Sequence, residues 1–197
     1  MSVLGIIAAA GTGVRMGSGT PKQFLALEGV PIFVHTLRKF TASDVVDEIY
    51  VAVRPEDSER ARHDLEREHF TKPVRLVNGG PSRQETVARA LAQAPQGTEL
   101  VVVHDAVRPF VDLEMIRRVT EAARLEGGAI LGILSVDTVK QVERQMIVGT
   151  IPRERIALAQ TPRHSVTPFS ARPLTALPPT GSMAATRRAW WSAWDTP

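Results

Sequence analysis

A run of small residues near the N-terminus has the composition and spacing to surround an anion. Residues 9–16 read AAGTGVRM after an apolar stretch, and Lys22 follows within the sequence TPKQ at 20–23. Glycines let backbone N–H groups close around a polyphosphate, while Arg15 and Lys22 supply positive charge. The run lacks the Lys-Ser/Thr of a Walker loop, and Met16 occupies the third glycine position of the dinucleotide fingerprint. Taken alone, it fits a nucleoside triphosphate cradle or an ordinary glycine-rich turn.

A second candidate is the sequence HDAVRP at residues 104–109, which follows an apolar run. An aspartate at the end of a buried strand is well placed for Mg²⁺, which prefers one or two carboxylates plus phosphate and water ligands. Asp105 is therefore a candidate metal ligand, and Arg108 a candidate phosphate clamp. The alternatives are a helix N-cap for Asp105 and a buried, hydrogen-bonded core imidazole for His104.

A third glycine-rich turn reads VNGGPSRQETV at residues 77–87. Gly79 and Gly80 allow close backbone approach to a flat ligand such as a base, and Arg83 and Thr86 offer a donor and a hydroxyl. A simple turn before a capped helix also fits this sequence. The segments DTVK at 137–140 and TP at 161–162 say little by themselves.

The elements that must position these residues alternate along the chain. Short apolar runs at 3–10, 48–53, 74–77, 100–103 and 128–133 predict strands buried on both faces. Helical spacing at 32–40, 57–70, 83–94 and 113–126 predicts the intervening helices. The alternation favours a three-layer α/β fold with a mostly parallel sheet. Ligands of such sheets bind beyond the carboxyl ends of the strands, which indicates the loops after Ala10, Val77 and Val103.

Composition excludes several classes of function. The chain has 197 residues, 43% hydrophobic, with no Cys, which fits one globular domain and excludes disulfides, thiolate nucleophiles and Cys-ligated metals. No apolar run approaches the roughly 20 residues that span a bilayer, so we expect a cytoplasmic protein without a membrane segment. The net charge is +3 and aromatic residues make up 5% of the chain, with no basic stripe, so we expect no nucleic-acid partner.

The composition changes abruptly after residue 163. Residues 164–197 are rich in Pro, Ala and Thr and contain all 3 Trp, without helical or strand periodicity. We therefore expect a nucleotide-binding domain over residues 1–163. The remaining segment is predicted to be either a disordered tail or the product of a shifted reading frame.

Taken together and in this order, the motifs over residues 3–162 resemble those of the 2-C-methyl-D-erythritol 4-phosphate cytidylyltransferases. The resemblance implies a three-layer α/β/α Rossmann-like nucleotidyltransferase fold. It also implies transfer of CMP from CTP to 2-C-methyl-D-erythritol 4-phosphate, which gives 4-diphosphocytidyl-2-C-methyl-D-erythritol and pyrophosphate in non-mevalonate isoprenoid synthesis. Mg²⁺ would be the cofactor. A homodimer would form through an arm around residues 137–156.

The same resemblance implies roles for individual residues. Catalytic roles, in stabilising the transition state or placing the attacking phosphate, fall to Arg15, Lys22 and Arg153, the last acting in the partner's site. The nucleotide would contact Ala9, Ala10, Gly11, Thr12, Gly13, Gly80, Arg83, Thr86, Asp105 and Ala106. The methylerythritol phosphate pocket would be lined by Asp105, Arg108, Thr138 and Thr161, and Asp105 would also hold the metal.

The chain departs from the family pattern after Pro162, where the family continues with Gln and an aromatic residue but this sequence has Arg163 and His164. A later Thr-Asp-Glu segment and a late lysine of the family are also missing. Two other functions therefore stay open at this point: a pentitol-phosphate cytidylyltransferase, and a nucleotide-binding protein that has lost turnover.

Overall fold

Strands and helices alternate along most of the chain in the computed structural model, which describes residues 2–12 and 20–166, with side chains through Arg163. The strands are β1 (Ser2–Ala8), β2 (Ala26–Leu27), β3 (Val30–Pro31), β4 (Glu48–Val53), β5 (Val74–Asn78), β6 (Thr98–Asp105), β7 (Gly128–Leu134), β8 (Val139–Glu143), β9 (Met146–Ile151) and β10 (Ala157–Val166). The helices are α1 (Ile32–Ala42), α2 (Ser58–Glu66), α3 (Arg83–Leu91) and α4 (Leu113–Glu126).

The main sheet has six strands in the order β5-β4-β1-β6-β10-β7. β1 pairs in parallel with β4 and β6, and β4 pairs in parallel with β5. β10 is antiparallel to both of its neighbours, β6 and β7. The prediction of a mostly parallel sheet is confirmed, and β10 is the reversed strand that the sequence patterns did not indicate.

Alternating side chains of β1 build a core on each face of the sheet. Val3 and Ile7 pack with residues of α1 and α4, including Phe33 and Ile116. Leu4 and Ile6 face the other way and share a cluster with Val87 of α3. The apolar run is continuous because helices cover both faces, so the three-layer prediction is also confirmed.

Local sequence sets where the helices begin and end. Ser82 and Glu85 form a reciprocal capping box at the start of α3, and the Asp112 carboxylate accepts from the Met115 N–H at the start of α4. Gly127, with φ +80°, ends α4. α2 ends at Glu66 and is shorter than the predicted helix at 57–70. Phe70, which the prediction assigned to the apolar face of that helix, packs against the core from the following loop.

An arm of two strands projects between β7 and β10. β8 and β9 form an antiparallel hairpin, and the Ser135 N–H donates to the Ile156 carbonyl at its base. This hairpin lies within the predicted arm at residues 137–156. In the described part of the chain, none of the helices is long and apolar enough to cross a membrane.

The last strand extends past the predicted domain boundary. β10 runs through Val166, and Ser165 pairs with Val101 on one side and Gly128 on the other. The first three residues of the predicted tail therefore belong to the sheet. The rest of that tail lies outside the described residues.

Candidate active site

The three loops predicted to carry the site lie together at one edge of the sheet. The Ala106 N–H donates to the Ala8 carbonyl at 3.0 Å, which joins the ends of β1 and β6. A Cβ on Gly79 would lie 2.6 Å from the Ala10 Cβ, so the loop after β5 touches the loop after β1. Glycine is required at position 79 because real Cβ atoms do not approach this closely.

Asp105, the last residue of β6, lies between two arginines. Its Oδ1 accepts from Arg83 Nε at 2.9 Å and its Oδ2 from Arg108 Nε at 3.2 Å. Its backbone N–H donates to the buried Thr161 hydroxyl at 3.4 Å, and Gln160 Oε1 accepts from the Arg108 guanidinium. The structure thus brings four predicted site residues together, and Asp105 is not a helix N-cap.

Arg163 adds a third guanidinium to this group. Burial lowers the pKa of Arg163, and the neighbouring charges of Arg83 and Arg108 lower it further, while Asp105 opposes the shift. Three cations around one carboxylate form a site suited to an additional anion. Sequence reasoning missed Arg163 because only the pairing of β10 with Val103 of β6 places it here.

His104 is a core residue that supports the turn after Asp105. Its Nε2–H donates to the Arg108 carbonyl at 3.0 Å, and its ring centroid lies 5.0 Å from that of Phe40. The imidazole is fully buried, and burial lowers its pKa to about 4. The interpretation of His104 as a core imidazole is confirmed, and the neutral ring helps to fix the turn that carries Arg108.

Thr86 shapes the second glycine loop from inside α3. Its hydroxyl accepts from the Gly80 N–H at 3.0 Å and lies 2.8 Å from the Ser82 carbonyl, to which it can donate. Arg89 donates to the Gly79 carbonyl at 2.7 Å and holds the same loop from one turn further along the helix. In this structure Thr86 organises the loop, and its contact with a nucleotide stays a prediction.

The first loop is held by a residue to which the sequence analysis gave no role. Gln23 Nε2 donates to the Ala9 carbonyl at 2.7 Å and to the Gly11 carbonyl at 2.9 Å. Lys22, just before it, is half-buried and begins a short 3-10 turn, Lys22–Phe24. Gly11 and Thr12 are exposed, as a ligand-binding loop requires. Arg15 and Gly13, predicted for the same loop, lie outside the described residues.

Two residues predicted to touch the nucleotide are buried in the core beneath the loops. Ala9 is buried, its N–H donates to the Ala52 carbonyl, and its own carbonyl accepts from Gln23. Ala106 is buried with its N–H paired to Ala8 and its carbonyl paired to the Thr36 hydroxyl. Their backbone polar groups are paired within the protein, so both residues support the loops from below, and their contacts with a nucleotide stay predictions.

Thr138 and Arg153 lie on the arm, away from the Asp105 group of this chain. Thr138 is exposed just before β8, and Arg153 donates to the Val136 carbonyl at 3.0 Å near the base of the hairpin. Within the described residues, no hydrogen bond or ion pair joins Arg153 to Asp105 or its arginines. The place of Thr138 in the substrate pocket and the catalytic role of Arg153 in the partner's site stay predictions.

The donor set at Asp105 fits a cation whose other ligands are phosphate and water. No cluster of three His, Cys, Asp or Glu side chains occurs among residues 2–12 and 20–163. Mg²⁺ needs only one or two carboxylates when substrate phosphates bind it, and a carboxylate has about four lone-pair positions. Asp105 can therefore accept from both arginines and still offer a position to Mg²⁺.

Comparison with known proteins identifies the family of the chain. The sequence model of the family described as 2-C-methyl-D-erythritol 4-phosphate cytidylyltransferase matches residues 3–176. The enzyme of that name from Solibacter usitatus is 49% identical over 83% of this chain and 71% of its own length. The one from Acidobacterium capsulatum is 48% identical over 83% and 72%, respectively.

Solved structures share the fold. The 4-diphosphocytidyl-2C-methyl-D-erythritol synthase from Anaerococcus prevotii matches with a TM-score of 0.79 and 25% identity, covering 98% of this chain and 83% of its own. The 2-C-methyl-D-erythritol 4-phosphate cytidylyltransferase from Francisella tularensis matches with a TM-score of 0.68 and 32% identity, covering 86% and 74%. These matches confirm the resemblance in the sequence motifs, and the chain belongs to the 2-C-methyl-D-erythritol 4-phosphate cytidylyltransferase family.

Proposed function

We propose that this chain transfers CMP from CTP to the 4-phosphate of 2-C-methyl-D-erythritol 4-phosphate and releases pyrophosphate. Family membership supports the reaction and its two substrates. The observation that carries the proposal for this chain is the position of Asp105 between Arg83 and Arg108 at the sheet edge where the glycine loops meet. Two polyanionic substrates require such a concentration of positive charge.

The chemistry is an in-line attack of a phosphate oxygen on the α-phosphorus of CTP. No covalent nucleophile is needed, so catalysis depends on positioning and on neutralising charge in the transition state. In our proposal Lys22 and Arg15 stabilise the developing charge on the α-phosphate, and backbone N–H groups of Ala10 to Thr12 bind the triphosphate. Lys22 is suited to this role because it begins the turn that Gln23 fastens to the loop.

Asp105 and its neighbours would bind the metal and the second substrate, methylerythritol phosphate. We assign Asp105 to the metal and to hydroxyl groups of methylerythritol phosphate, and Arg108 to a phosphate. Thr161 supports this assembly through its contact with the Asp105 backbone. Mg²⁺ bound at Asp105 would neutralise charge on the CTP phosphates and hold them in place.

The arm is the proposed dimer interface. Its hairpin exposes Val142, Met146, Ile147 and Val148, each more than half accessible to solvent. Apolar side chains concentrated on a projecting hairpin need a protein partner, and a second copy of this chain is the partner implied by the family. In such a dimer Arg153 would reach the site of the partner. Sedimentation velocity should show a dimer for the unchanged protein and a monomer for Ile147→Glu.

A cytoplasmic location follows from the same proposal, because CTP is supplied inside the cell. The absence of Cys agrees with a reducing compartment.

The decisive experiment measures pyrophosphate release from CTP and 2-C-methyl-D-erythritol 4-phosphate with Mg²⁺. The unchanged protein should be active, and Lys22→Ala should lower kcat by about 10²-fold, since it removes one charge from the transition state. Lys39→Ala is the matched control, because Lys39 is exposed on α1. Omission of Mg²⁺ should abolish turnover.

The second substrate distinguishes the proposal from its alternatives. If pyrophosphate is released with a pentitol phosphate and not with methylerythritol phosphate, the acceptor substrate is the pentitol phosphate. CTP binding without release from either acceptor would contradict the proposed turnover.

A further inference from the structure

Gln23 connects the core of the protein to the first glycine loop. Its side-chain amide donates to the carbonyls of Ala9 and Gly11. Gln23 is only 3% exposed, and its bond to Ala9 is buried while its bond to the exposed Gly11 is partly buried. A side-chain amide nitrogen carries two N–H groups, and both are used here.

The turn that carries Gln23 is itself firmly anchored. Phe24 is buried, its ring lies edge-on to that of Phe33 with centroids 5.4 Å apart, and the Arg60 guanidinium stacks 4.6 Å from its centroid. Phe33 lies in α1 and Arg60 in α2. Because Phe24 fixes the turn against two helices, Gln23 presents its amide to the loop from a rigid base.

The two hydrogen bonds determine which way the loop's peptide groups face. In a planar trans peptide the C=O and the N–H point in opposite directions. The Ala9 carbonyl and the Ala10 N–H belong to one peptide group, so this N–H points away from Gln23. The Gly11 carbonyl and the Thr12 N–H share a second such peptide group, and the Thr12 N–H also points away from Gln23. Within the described residues, neither of these N–H groups donates to another backbone carbonyl. Gln23 therefore leaves two donors on the side of the loop opposite to itself.

We propose that Gln23 is a positioning residue that sets the peptide orientation of the triphosphate loop, so that the N–H groups of Ala10 and Thr12 face the phosphates of the nucleotide. Preorganised N–H groups bind anions strongly because no reorientation is needed when the anion arrives. Gln23 acts through these donors and does not itself contact the nucleotide. This inference rests on the proposed function for the identity of the nucleotide.

Two substitutions separate positioning from packing. Gln23→Met keeps a side chain of similar length but removes both donors. Gln23→Glu keeps the shape and places a carboxylate against two carbonyl oxygens, which favours rotation of both peptide groups. The same two changes at Gln93 serve as controls, because Gln93 is exposed in the turn that follows α3, where its side chain donates to the Arg89 carbonyl.

Calorimetry would measure binding of CTP, of inorganic tripolyphosphate as a base-free probe, and of cytidine as a phosphate-free probe. Gln23→Met should weaken CTP and tripolyphosphate about ten-fold, and Gln23→Glu should weaken them more, with cytidine unaffected. In turnover, KM for CTP should rise while KM for methylerythritol phosphate stays within about two-fold. Near-UV circular dichroism identifies variants that retain the native fold.

Two results would overturn the inference. One is a folded Gln23→Met protein that binds tripolyphosphate as well as the unchanged protein does. The other is an equal loss of cytidine and tripolyphosphate affinity, which would show general damage to the site. If tripolyphosphate binding depends on Gln23 but the unchanged protein releases no pyrophosphate, the proposed function fails while the positioning role stands.

Discussion

Arg83 and Asp105 join two of the site's loops through a 2.9 Å hydrogen bond between Nε and Oδ1. Arg83 is the first residue of α3, directly after the second glycine loop, and Asp105 is the last residue of β6. The bond therefore links the predicted nucleotide loop to the predicted metal and substrate ligand. Arg108 approaches the same carboxylate from the turn that follows, so one aspartate orients two cations.

Replacing Asp105 by Asn should disable the site without unfolding the protein. The amide has nearly the same shape, but it removes the negative charge that Arg83 and Arg108 share and with it the proposed metal ligand. We expect pyrophosphate release to fall by about 10²-fold or more. The protein should stay folded with a lower thermal midpoint, because three guanidinium groups then lie close together without the carboxylate. Retained activity in Asp105→Asn would contradict the central role of this residue.

Gly79→Ala tests the contact between the first two loops. The added Cβ would lie 2.6 Å from the Ala10 Cβ and 3.2 Å from Thr86, so one loop has to move. We expect a loss of about 1–3 kcal/mol in the free energy of unfolding, together with weaker CTP binding. Denaturant unfolding and calorimetry would measure the two effects. Gly132→Ala is the control, since its nearest neighbour, the Ala157 Cβ, would lie 3.5 Å away in ordinary contact.

His104 should make the fold sensitive to acid. Burial lowers its folded pKa to about 4 from an ordinary value of 6.5, so between these values the unfolded chain binds more protons. The contribution of His104 to stability is therefore complete above pH 6.5 and is lost as the pH falls towards 4, up to about 3 kcal/mol.

His104→Gln removes this titration and keeps an N–H donor for the Arg108 carbonyl. Unfolding free energy measured from pH 7 to pH 4.5 should fall less steeply for this variant than for the unchanged protein. His63→Gln, at an exposed position of α2, should leave the slope as it is. Equal slopes for the His104→Gln and unchanged proteins would assign the acid sensitivity to other groups.

The parallel half of the fold could be predicted because its signals are local. The apolar run at 48–53 and the helix at 113–126 match β4 and α4 residue for residue, since strands buried on both faces and capped amphipathic helices are visible in short windows. The glycine-rich segments follow predicted parallel strands, and this position likewise indicated that the loops meet at one edge of the sheet. These features depend little on distant residues.

The antiparallel strand and the groups it carries could not be predicted in this way. β10 contains Pro162, and its residues show no clear alternation, so its strand conformation depends on its pairing with β6 and β7. The role of Gln23 also escaped prediction, because its hydrogen bonds join positions 12 and 14 residues apart. Residue types identified Asp105 and Arg108, whereas only the fold located Gln23 and Arg163.

Arg163→Gln tests whether the third guanidinium serves the anionic substrate. Arg163 is partly buried beside Arg83 and Arg108, and like charges at close range raise the free energy of the empty site. Removing one cation should therefore stabilise the ligand-free protein slightly at low salt. It should also raise KM for methylerythritol phosphate by about ten-fold and leave KM for CTP nearly unchanged. Arg67→Gln, which makes the same charge change at an exposed position, should alter neither constant.

Inorganic phosphate provides an independent measure of the same charge. Phosphate that binds among the three arginines should raise the thermal midpoint of the unchanged protein more than that of Arg163→Gln, and added chloride should reduce this difference by screening. If both proteins respond equally to phosphate, the guanidinium of Arg163 does not face the substrate, and the charge near Asp105 is supplied by Arg83 and Arg108 alone.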